Sequence, residues 1–298
     1  MQLSRQNLKS AMLPVALIGG VIFHQWMGYV TFLSPYLIFA MLFVTYCRLD
    51  LRDFKPGRFQ LELVAVQLVL SALVYGGLAP FNHTVAEGVF ICVFIPTATA
   101  APVITSMLGG SISKVATYSL ISNLVVAIIG PVVLAAVGDH AEYTLLQSTY
   151  LIMARVLPLL LLPIALAMAV TKFMPRVHRA IAGAQQVSFY LWAVALFIIV
   201  GSSVSFAVAR WDATVSTDMM WLALGALVVC LIQFKVGRAV GRRFGDPVAG
   251  GQGLAQKNTV LAVWLALAYM NPVASIGPAA YIAWQNIVNS WQLIKARR

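Results

Sequence analysis

The sequence is poor in charged residues, and acidic residues are especially few. Charged residues make up 10% of the 298 residues, and Asp and Glu together number only 9, whereas about a quarter of the residues of a soluble domain are charged. Hydrophobic residues make up 61% of the chain. This composition excludes a large soluble domain and predicts an integral membrane protein.

Residues that serve as metal ligands or redox partners are also scarce. The sequence has only 4 histidines and 3 cysteines. The histidines are far apart in the chain and show no metal-ligand spacing. Cys47, Cys92 and Cys230 form no CxxC motif, which indicates a packing role and not redox chemistry. We therefore expect no metal site built from histidine and cysteine.

Motifs for catalysis and nucleotide binding are missing as well. The sequence contains no glycine-rich loop of the P-loop type, which argues against ATP-driven transport. Glu62 and Glu87 are the only carboxylates at the depth of the predicted spans, and both lie at span ends, so no paired acid and base indicates catalysis. The sequence therefore predicts a protein that is not an enzyme and has no cofactor. Whether it binds a sodium ion is considered below.

Long apolar runs, in contrast, are abundant. A helix needs about 20 apolar residues to cross the hydrocarbon of a bilayer, and charged or turn residues separate ten such runs. They are 11–30, 31–48, 61–80, 86–108, 112–137, 144–171, 180–208, 219–240, 250–270 and 272–294. We expect an all-α membrane protein with ten transmembrane helices, the first of them a retained helix and not a signal peptide.

The 20 basic residues predict the orientation of these helices. With the N-terminus inside, all of them lie at cytoplasmic ends or loops except Arg155, Arg210 and Lys257. The positive-inside rule then predicts a multi-pass protein of the cell (inner) membrane with both termini cytoplasmic. Membrane lipids are expected partners, and nucleic acid is not. Arg155 and Lys257 fall inside predicted spans, where a charge is costly and faces protein or water.

The fourth run is interrupted by PTATAAPVITSMLGG, residues 96–110. Pro96 and Pro102 remove backbone donors and obstruct the preceding helical turn, so we expect the helix to stop and restart. The amide groups at the N-terminus of the restarted helix would attract an anion. A simple proline kink is the alternative interpretation.

The ninth run contains a second interruption, GGQGLAQKNTV, residues 250–260. Irregular backbone at membrane depth is tolerated only where it is buried in protein or lines a watery cavity. Because the breaks fall in the fourth and ninth of ten spans, they match if the chain is divided into two halves of five. An odd number of spans gives the halves opposite orientations, as in the inverted repeats of many secondary transporters.

Polar residues in the other spans agree with this division. Gln67 in the third span has a counterpart in Gln233 of the eighth. The fifth and tenth spans each carry a polar face at helical spacing. These faces consist of Ser119, Ser122 and Asn123, and of Gln285, Asn289 and Gln292. The alternative is that these side chains only join helices by hydrogen bonds.

Three stretches and Gln67 resemble the bile acid:sodium symporter family. PTATAAPVITSMLGGSISKVA, residues 96–116, resembles the fourth helix of that family and its following loop. GLAQKNTVLAVWLALA, residues 253–268, resembles the crossing segment of its ninth helix, and GPAAYIAWQNIVNSWQ, residues 277–292, resembles its tenth helix. The chain is thus similar to a divergent bacterial member of the family.

This resemblance implies two inverted five-helix repeats with discontinuous crossing helices 4 and 9. It implies a single transporter unit, 1–298, with a panel part of about 11–50 and 144–208 and a core part of about 61–137 and 219–294. In the family, an organic anion is carried between the two parts, and two sodium ions bind beside the crossing.

The candidate site residues lie in the two breaks or on the helices expected to face them. Candidate contacts of the anion are Thr99, Thr105, Asn258 and Asn286, together with Gln285 from the polar face of the tenth span. Candidate residues for ion coupling are Gln67, which matches a sodium-site glutamine of the family, and Gln256, Lys257 and Lys114.

Departures from the family pattern put the sodium sites in doubt. Gly253 stands where the family has an acidic residue, Lys257 where it has a glutamine, and Ala101 and Pro102 where it has Ser-Asn. A further hydroxyl position falls on Lys114. Because hard cations need oxygen ligands, we hypothesise that Lys257 and Lys114 act as tethered cations. The alternatives are that Lys257 snorkels to the interface and that Lys114 is an ordinary loop residue.

Taken with the resemblance, the sequence predicts a secondary active transporter of a small organic anion that works by alternating access. One alternative is an anion sensor or scaffold on the same fold, which would bind its ligand without flux. Another is a proton-coupled anion exporter of a related inverted-repeat family. The sequence indicates neither the cargo, nor the direction of transport, nor the oligomeric state.

Overall fold

The protein is helical throughout the part of the chain that the computed structural model describes. These residues are 15–47, 56–98, 100–138, 144–209 and 212–296. Within them no β-strand forms, and the only extended pairing is an isolated bridge between Thr97 and Lys257. The N-terminal basic residues, Thr99 and Arg210 lie outside the described residues.

The helices follow one another with short connections. In chain order they are α1 (15–22), α2 (His24–Val30), α3 (Ser34–Tyr46), α4 (Arg58–Leu78), α5 (His83–Phe94), α6 (Ala101–Met107), α7 (Ile112–Val137), α8 (Leu145–Phe173), α9 (Pro175–Gly183), α10 (Gln185–Ala209), α11 (Ala213–Arg243), α12 (Pro247–Ala255), α13 (Thr259–Tyr269) and α14 (Ile276–Ala296). Two 3₁₀ turns, Thr31–Leu33 and Pro272–Ser275, precede α3 and α14.

Six helical segments among the described residues are long and apolar enough to cross a membrane. They are His24–Tyr46, Arg58–Leu78, Ile112–Val137, Leu145–Phe173, Tyr190–Ala209 and Thr214–Arg243. The helices α5 and α13 are apolar but shorter. The protein is therefore a helical membrane protein, as its composition predicts.

The helical path stops at the two stretches that the sequence singles out. Pro96 disfavours the helical conformation for the residue before it, and Ile95 is accordingly extended, with ψ of 150°. The second stop has no proline. There Gln256 is extended, and the Asn258 side chain accepts a hydrogen bond from the Leu261 amide, which caps the new helix α13.

Glycines allow α11 and α12 to approach closely. A Cβ atom on Gly250 would lie 2.1 Å from the Gly237 carbonyl oxygen, and one on Gly241 would lie 2.3 Å from the Asp246 carbonyl oxygen. No side chain fits at such distances. This contact brings the first half of the second broken segment directly against α11.

Two large apolar clusters surround the broken segments. One joins α3, α7, α8 and α10 to α13 and includes Leu42, Leu160, Ile199 and Leu261. The other joins α5 and α11 to α12 and α14 and includes Val93 and Tyr281. The short helices α5, α12 and α13 therefore lie inside the protein, with longer helices around them.

Candidate functional site

The two interrupted stretches pair with each other, and we call the region where they meet the crossing. Thr97 and Lys257 form an antiparallel bridge. On either side of it, the Ala98 amide donates to the Gln256 carbonyl at 2.8 Å, and the Asn258 amide donates to the Pro96 carbonyl at 2.9 Å. These bonds satisfy backbone groups that each break would otherwise leave unpaired inside the protein.

The pairing changes the expected source of positive potential. The sequence predicts unpaired amide groups at the starts of the restarted helices. At α6, however, the Ala101 amide donates to the Ala98 carbonyl and the Ile104 amide to the Ala100 carbonyl, and before α13 the Asn258 amide donates to the Pro96 carbonyl. The start of α13 is in turn capped by the Asn258 side chain. A charged side chain at the crossing thus has more to offer an anion than the backbone does.

That charged side chain is Lys257, which is only 1% exposed. Its Nζ donates to the carbonyl oxygens of Val93 at 2.8 Å and Ile95 at 3.1 Å, and its backbone amide donates to Gln285 Oε1 at 3.0 Å. The two carbonyls belong to the C-terminal end of α5, where the partial charge of a helix is negative. Among the described residues, no carboxylate forms an ion pair with Lys257.

Gln67 fixes the same end of α5. Its Nε2 donates to the carbonyl oxygens of Phe94 at 2.5 Å and Ile95 at 3.1 Å. Its Oε1 accepts from the Tyr118 hydroxyl at 2.7 Å and the Ser122 hydroxyl at 2.9 Å. Since both ends of the amide are engaged, Gln67 holds the helix end that also binds Lys257.

A second glutamine and tyrosine lie at the other break. Gln233 Nε2 donates to the Tyr281 hydroxyl at 3.0 Å and to the Cys92 carbonyl at 3.3 Å, and the Tyr281 hydroxyl donates to the Ala255 carbonyl at the end of α12 at 2.8 Å. Sequence reasoning found Gln233 but missed Tyr118 and Tyr281, because a tyrosine in an apolar span resembles an ordinary core aromatic residue.

The polar face of α7 also reaches the crossing. Ser119 Oγ donates to the Thr97 carbonyl at 3.4 Å, and Thr97 Oγ1 donates to the Gly253 carbonyl at 2.7 Å. Asn123 Nδ2 donates to the Ser119 carbonyl at 2.7 Å. Asn123 Oδ1 and Gln256 Nε2 are buried and have no hydrogen-bond partner among the residues that the structure describes. The crossing therefore offers both an acceptor and a donor to a ligand.

The other predicted anion contacts have local bonds. Asn258 caps α13, as described above, and Thr105 Oγ1 donates to the Ala101 carbonyl within α6 at 2.8 Å. Asn286 Nδ2 donates to the Ile282 carbonyl at 2.6 Å. Thr99 lies outside the described residues. The structure thus brings Asn258, Gln256 and Gln285 to the crossing with Lys257, and it engages Thr105 and Asn286 within their own helices.

Lys114 and Arg155 lie elsewhere. Lys114 Nζ donates to the Phe244 carbonyl, just after α11, at 3.0 Å and lies 5.7 Å from the centre of the Phe59 ring. Lys114 therefore holds the turn after α11 and is not among the groups of the crossing. Arg155 is exposed on α8 beside Tyr269.

Lys257 takes carbonyl oxygens at the crossing that a sodium ion could otherwise use. The carbonyl oxygens of Val93 and Ile95, which could serve as ligands, already accept from the Lys257 ammonium group. Gly253 supplies no carboxylate, and a Cβ atom there would lie 3.1 Å from the Tyr118 ring. Within the described ranges, no three His, Cys, Asp or Glu side chains are grouped as metal ligands.

The chain matches no protein-family model and no curated protein.

Proposed function

We propose that the protein is a secondary active transporter of a small organic anion and that the crossing is the centre of its binding site. The observation that carries the proposal is the buried Lys257 at the paired breaks, which no described carboxylate neutralises. An unbalanced charge at membrane depth is costly and marks a site of function. Two N–H groups of the ammonium donate to carbonyls, so one remains for a cargo.

The environments of the two breaks support an inverted repeat. Gln67 and Tyr118 lie at the end of α5, and Gln233 and Tyr281 lie between the ends of α5 and α12. The connecting turns are also held in related ways. Asp246 Oδ2 accepts from the Ser111 amide at 2.8 Å, and Glu87 Oε2 accepts from the Asn271 amide at 3.0 Å. In the proposed architecture, α1–α7 and α8–α14 are repeats of five spans each.

In the proposed ten-span architecture, the helical segment His24–Tyr46 is divided at the 3₁₀ turn Thr31–Leu33, and the chain reverses there. The Thr31 and Ser202 hydroxyl oxygens are 2.5 Å apart. On one side of this turn, a Cβ atom on Gly20 would lie 2.7 Å from the Phe197 carbonyl oxygen. On the other side, Leu42 shares an apolar cluster with Ile199. Helices α2 and α3, before and after the turn, both pack on α10, as the proposed hairpin requires.

The cation that accompanies the anion in sodium symporters is built into this chain, in our proposal, as Lys257. The ammonium group binds helix-end carbonyls as a small cation would. Because it is attached to the protein, it does not move across the membrane with the anion. In this proposal sodium is not a coupling ion. By the distribution of basic residues, the protein lies in the cell membrane with both termini in the cytoplasm.

Uptake into proteoliposomes tests this proposal. A panel of carboxylates and sulfonates is offered while sodium and pH gradients are imposed separately. We expect at least one organic anion to be taken up at a rate that sodium does not change. Strong sodium dependence would contradict the tethered cation, and binding without flux for every anion would favour a sensor.

Replacing Lys257 tests the site itself. Lys257→Gln removes the fixed charge but keeps two hydrogen-bonding groups, and we expect loss of anion uptake of about a hundredfold or more, as for other buried charges that pair with a ligand. Lys172→Gln is the matched control, because Lys172 is an exposed lysine in the last turn of α8, and it should transport normally. Unchanged uptake by Lys257→Gln would remove the crossing from the transport site.

A further inference from the structure

A line of buried amide side chains leads away from the crossing along α14. Gln285, Asn289 and Gln292 share one face of this helix and are only 4–6% exposed. Gln285 binds the Lys257 amide, and Gln252 of α12 donates from Nε2 to Asn289 Oδ1 and to Gln292 Oε1, each at 3.1 Å. From Gln285 to Gln292 the line extends about 10 Å at the helical rise.

Arg238 lies at the far end of this line. Its Nη2 donates to Gln292 Oε1 at 2.8 Å. A Cβ atom on Gly251 would lie 2.7 Å from Arg238 Cγ, so the arginine side chain runs across α12 at a place where only glycine leaves room. The absence of a side chain at Gly251 thus allows the guanidinium group to reach the amides.

In the proposed architecture the crossing lies near the centre of the membrane, and this places Arg238 within the hydrocarbon depth. Gln233 marks the level of the crossing, because it binds the Cys92 carbonyl and Tyr281. Arg238 follows five residues later on α11, which corresponds to about 7.5 Å along the helix. The hydrocarbon extends about 15 Å from its centre. A charge at this depth is costly unless it is paired or serves a ligand.

No carboxylate among the described residues pairs with Arg238, whereas Arg243 of the same helix binds Glu62 Oε2 at 2.8 Å. Most N–H groups of the guanidinium remain after its bond to Gln292. Asn289 Nδ2 and Gln252 Oε1, in the same cluster, are buried and have no hydrogen-bond partner within the described part of the chain. Beside the guanidinium group the cluster therefore has one spare amide donor, Asn289 Nδ2, and one spare acceptor, Gln252 Oε1.

We propose that Arg238 and Asn289 form a second anion site, which takes a small carboxylate. The guanidinium fork matches a carboxylate, and Asn289 Nδ2 supplies a further donor. The amide side chains are buried and Arg238 is half-buried, so we assign the site to a small carboxylate from water, and binding of a lipid headgroup is an outcome that the test below distinguishes. The inference rests on the proposed function in one respect, namely that the transported anion binds at this second site on its way to or from Lys257.

Thermal unfolding of the purified full-length protein in detergent tests the second site. Choline acetate is titrated against choline chloride at constant ionic strength, in a Lys257→Met background so that the crossing does not respond. We expect acetate to raise the unfolding midpoint. Arg238→Gln should weaken the response about tenfold or abolish it, as expected for the loss of a charge-assisted bond. Arg242→Gln, at an exposed arginine of the same helix, should respond like its parent.

Further variants keep the test decisive. If Arg238→Gln does not fold, Asn289→Ala should weaken the acetate response and Arg238→Lys should retain part of it. No acetate response, or an equal response in Arg238→Gln, would overturn the second site. A response to phosphatidylglycerol in place of acetate would overturn the assignment of a carboxylate.

The outcomes also separate the two proposals. An acetate response at Arg238 without transport of any anion would contradict the transporter and leave the second site standing. Sodium-independent anion transport by the wild type, with no acetate response that depends on Arg238, would contradict the second site alone.

Discussion

The side chains at the crossing satisfy backbone groups that the broken helices leave open. The last carbonyls of α5 lack the amide partners that a continuing helix would provide. The side-chain amide of Gln67 and the amino group of Lys257 both donate to the Ile95 carbonyl. Gln67 also donates to the Phe94 carbonyl, and Lys257 also donates to the Val93 carbonyl. The same contacts therefore end the helix and hold the amino group of Lys257 inside the protein.

The two hydroxyl groups that donate to Gln67 Oε1 can be removed one at a time, which tests whether Gln67 holds the end of α5. Gln67 Oε1 accepts from both Tyr118 and Ser122, so either hydroxyl alone keeps it satisfied. We expect Tyr118→Phe and Ser122→Ala each to lower the free energy of unfolding by about 1 kcal/mol. The double variant should lose more than the sum, because it leaves a buried oxygen without a donor.

Reversible unfolding in mixed micelles measures these effects as a double-mutant cycle. Tyr36→Phe is the control, since Tyr36 is 70% exposed, and it should change stability little. Strict additivity of Tyr118→Phe and Ser122→Ala would mean that Gln67 Oε1 finds another donor, which would weaken the argument that these residues hold the end of α5.

At the scale of elements, close contact between α11 and α12 positions both halves of the Arg238 cluster. Arg238 comes from α11 and Gln252 from α12. The contact depends on paired glycines, because the Gly250 Cα faces the Gly237 carbonyl. A wider separation of these helices would move Arg238 away from Gln252 and Gln292.

Gly250→Ala is therefore expected to be destabilising although alanine favours helices. Its Cβ would lie 2.1 Å from the Gly237 carbonyl oxygen, and we expect a loss of about 3 kcal/mol of unfolding free energy from overpacking. Gly76→Ala is the matched control, since a Cβ there would meet nothing within 4 Å, and it should be neutral or stabilising. A Gly250→Ala variant as stable as the wild type would show that the helices separate at little cost.

At the scale of the whole molecule, the sequence predicts what depends on local physics. Composition gives the membrane class, and Pro96 forces the extended Ile95. The polar face of α14 is visible from spacing alone. The pairing of Thr97 with Lys257 is not predictable in this way, since it joins residues far apart in the chain. For the same reason, sequence reasoning grouped Lys114 with Lys257. It placed Lys235 and Arg238 at the cytoplasmic end of the eighth span, 219–240, whereas α11 continues to Arg243.

The proposed ten spans make a prediction about the two faces of the membrane. Phe81 is 87% exposed after α4, and Arg242 is exposed near the end of α11. In the proposed architecture the chain crosses the membrane an odd number of times between these two positions. The crossing segments are the broken segment of α5 and α6, and the helices α7, α8, α10 and α11. Phe81→Cys and Arg242→Cys should then face opposite sides.

Labelling with a membrane-impermeant maleimide distinguishes these arrangements. The native cysteines Cys47, Cys92 and Cys230 are buried, so the background is expected to be low. In intact cells, Phe81→Cys should react at once and Arg242→Cys only after permeabilisation. If α5 and α6 did not cross, the number of crossings would be even and both positions would label from one side. That result would contradict the inverted repeat, because the two breaks would no longer belong to spans of opposite direction.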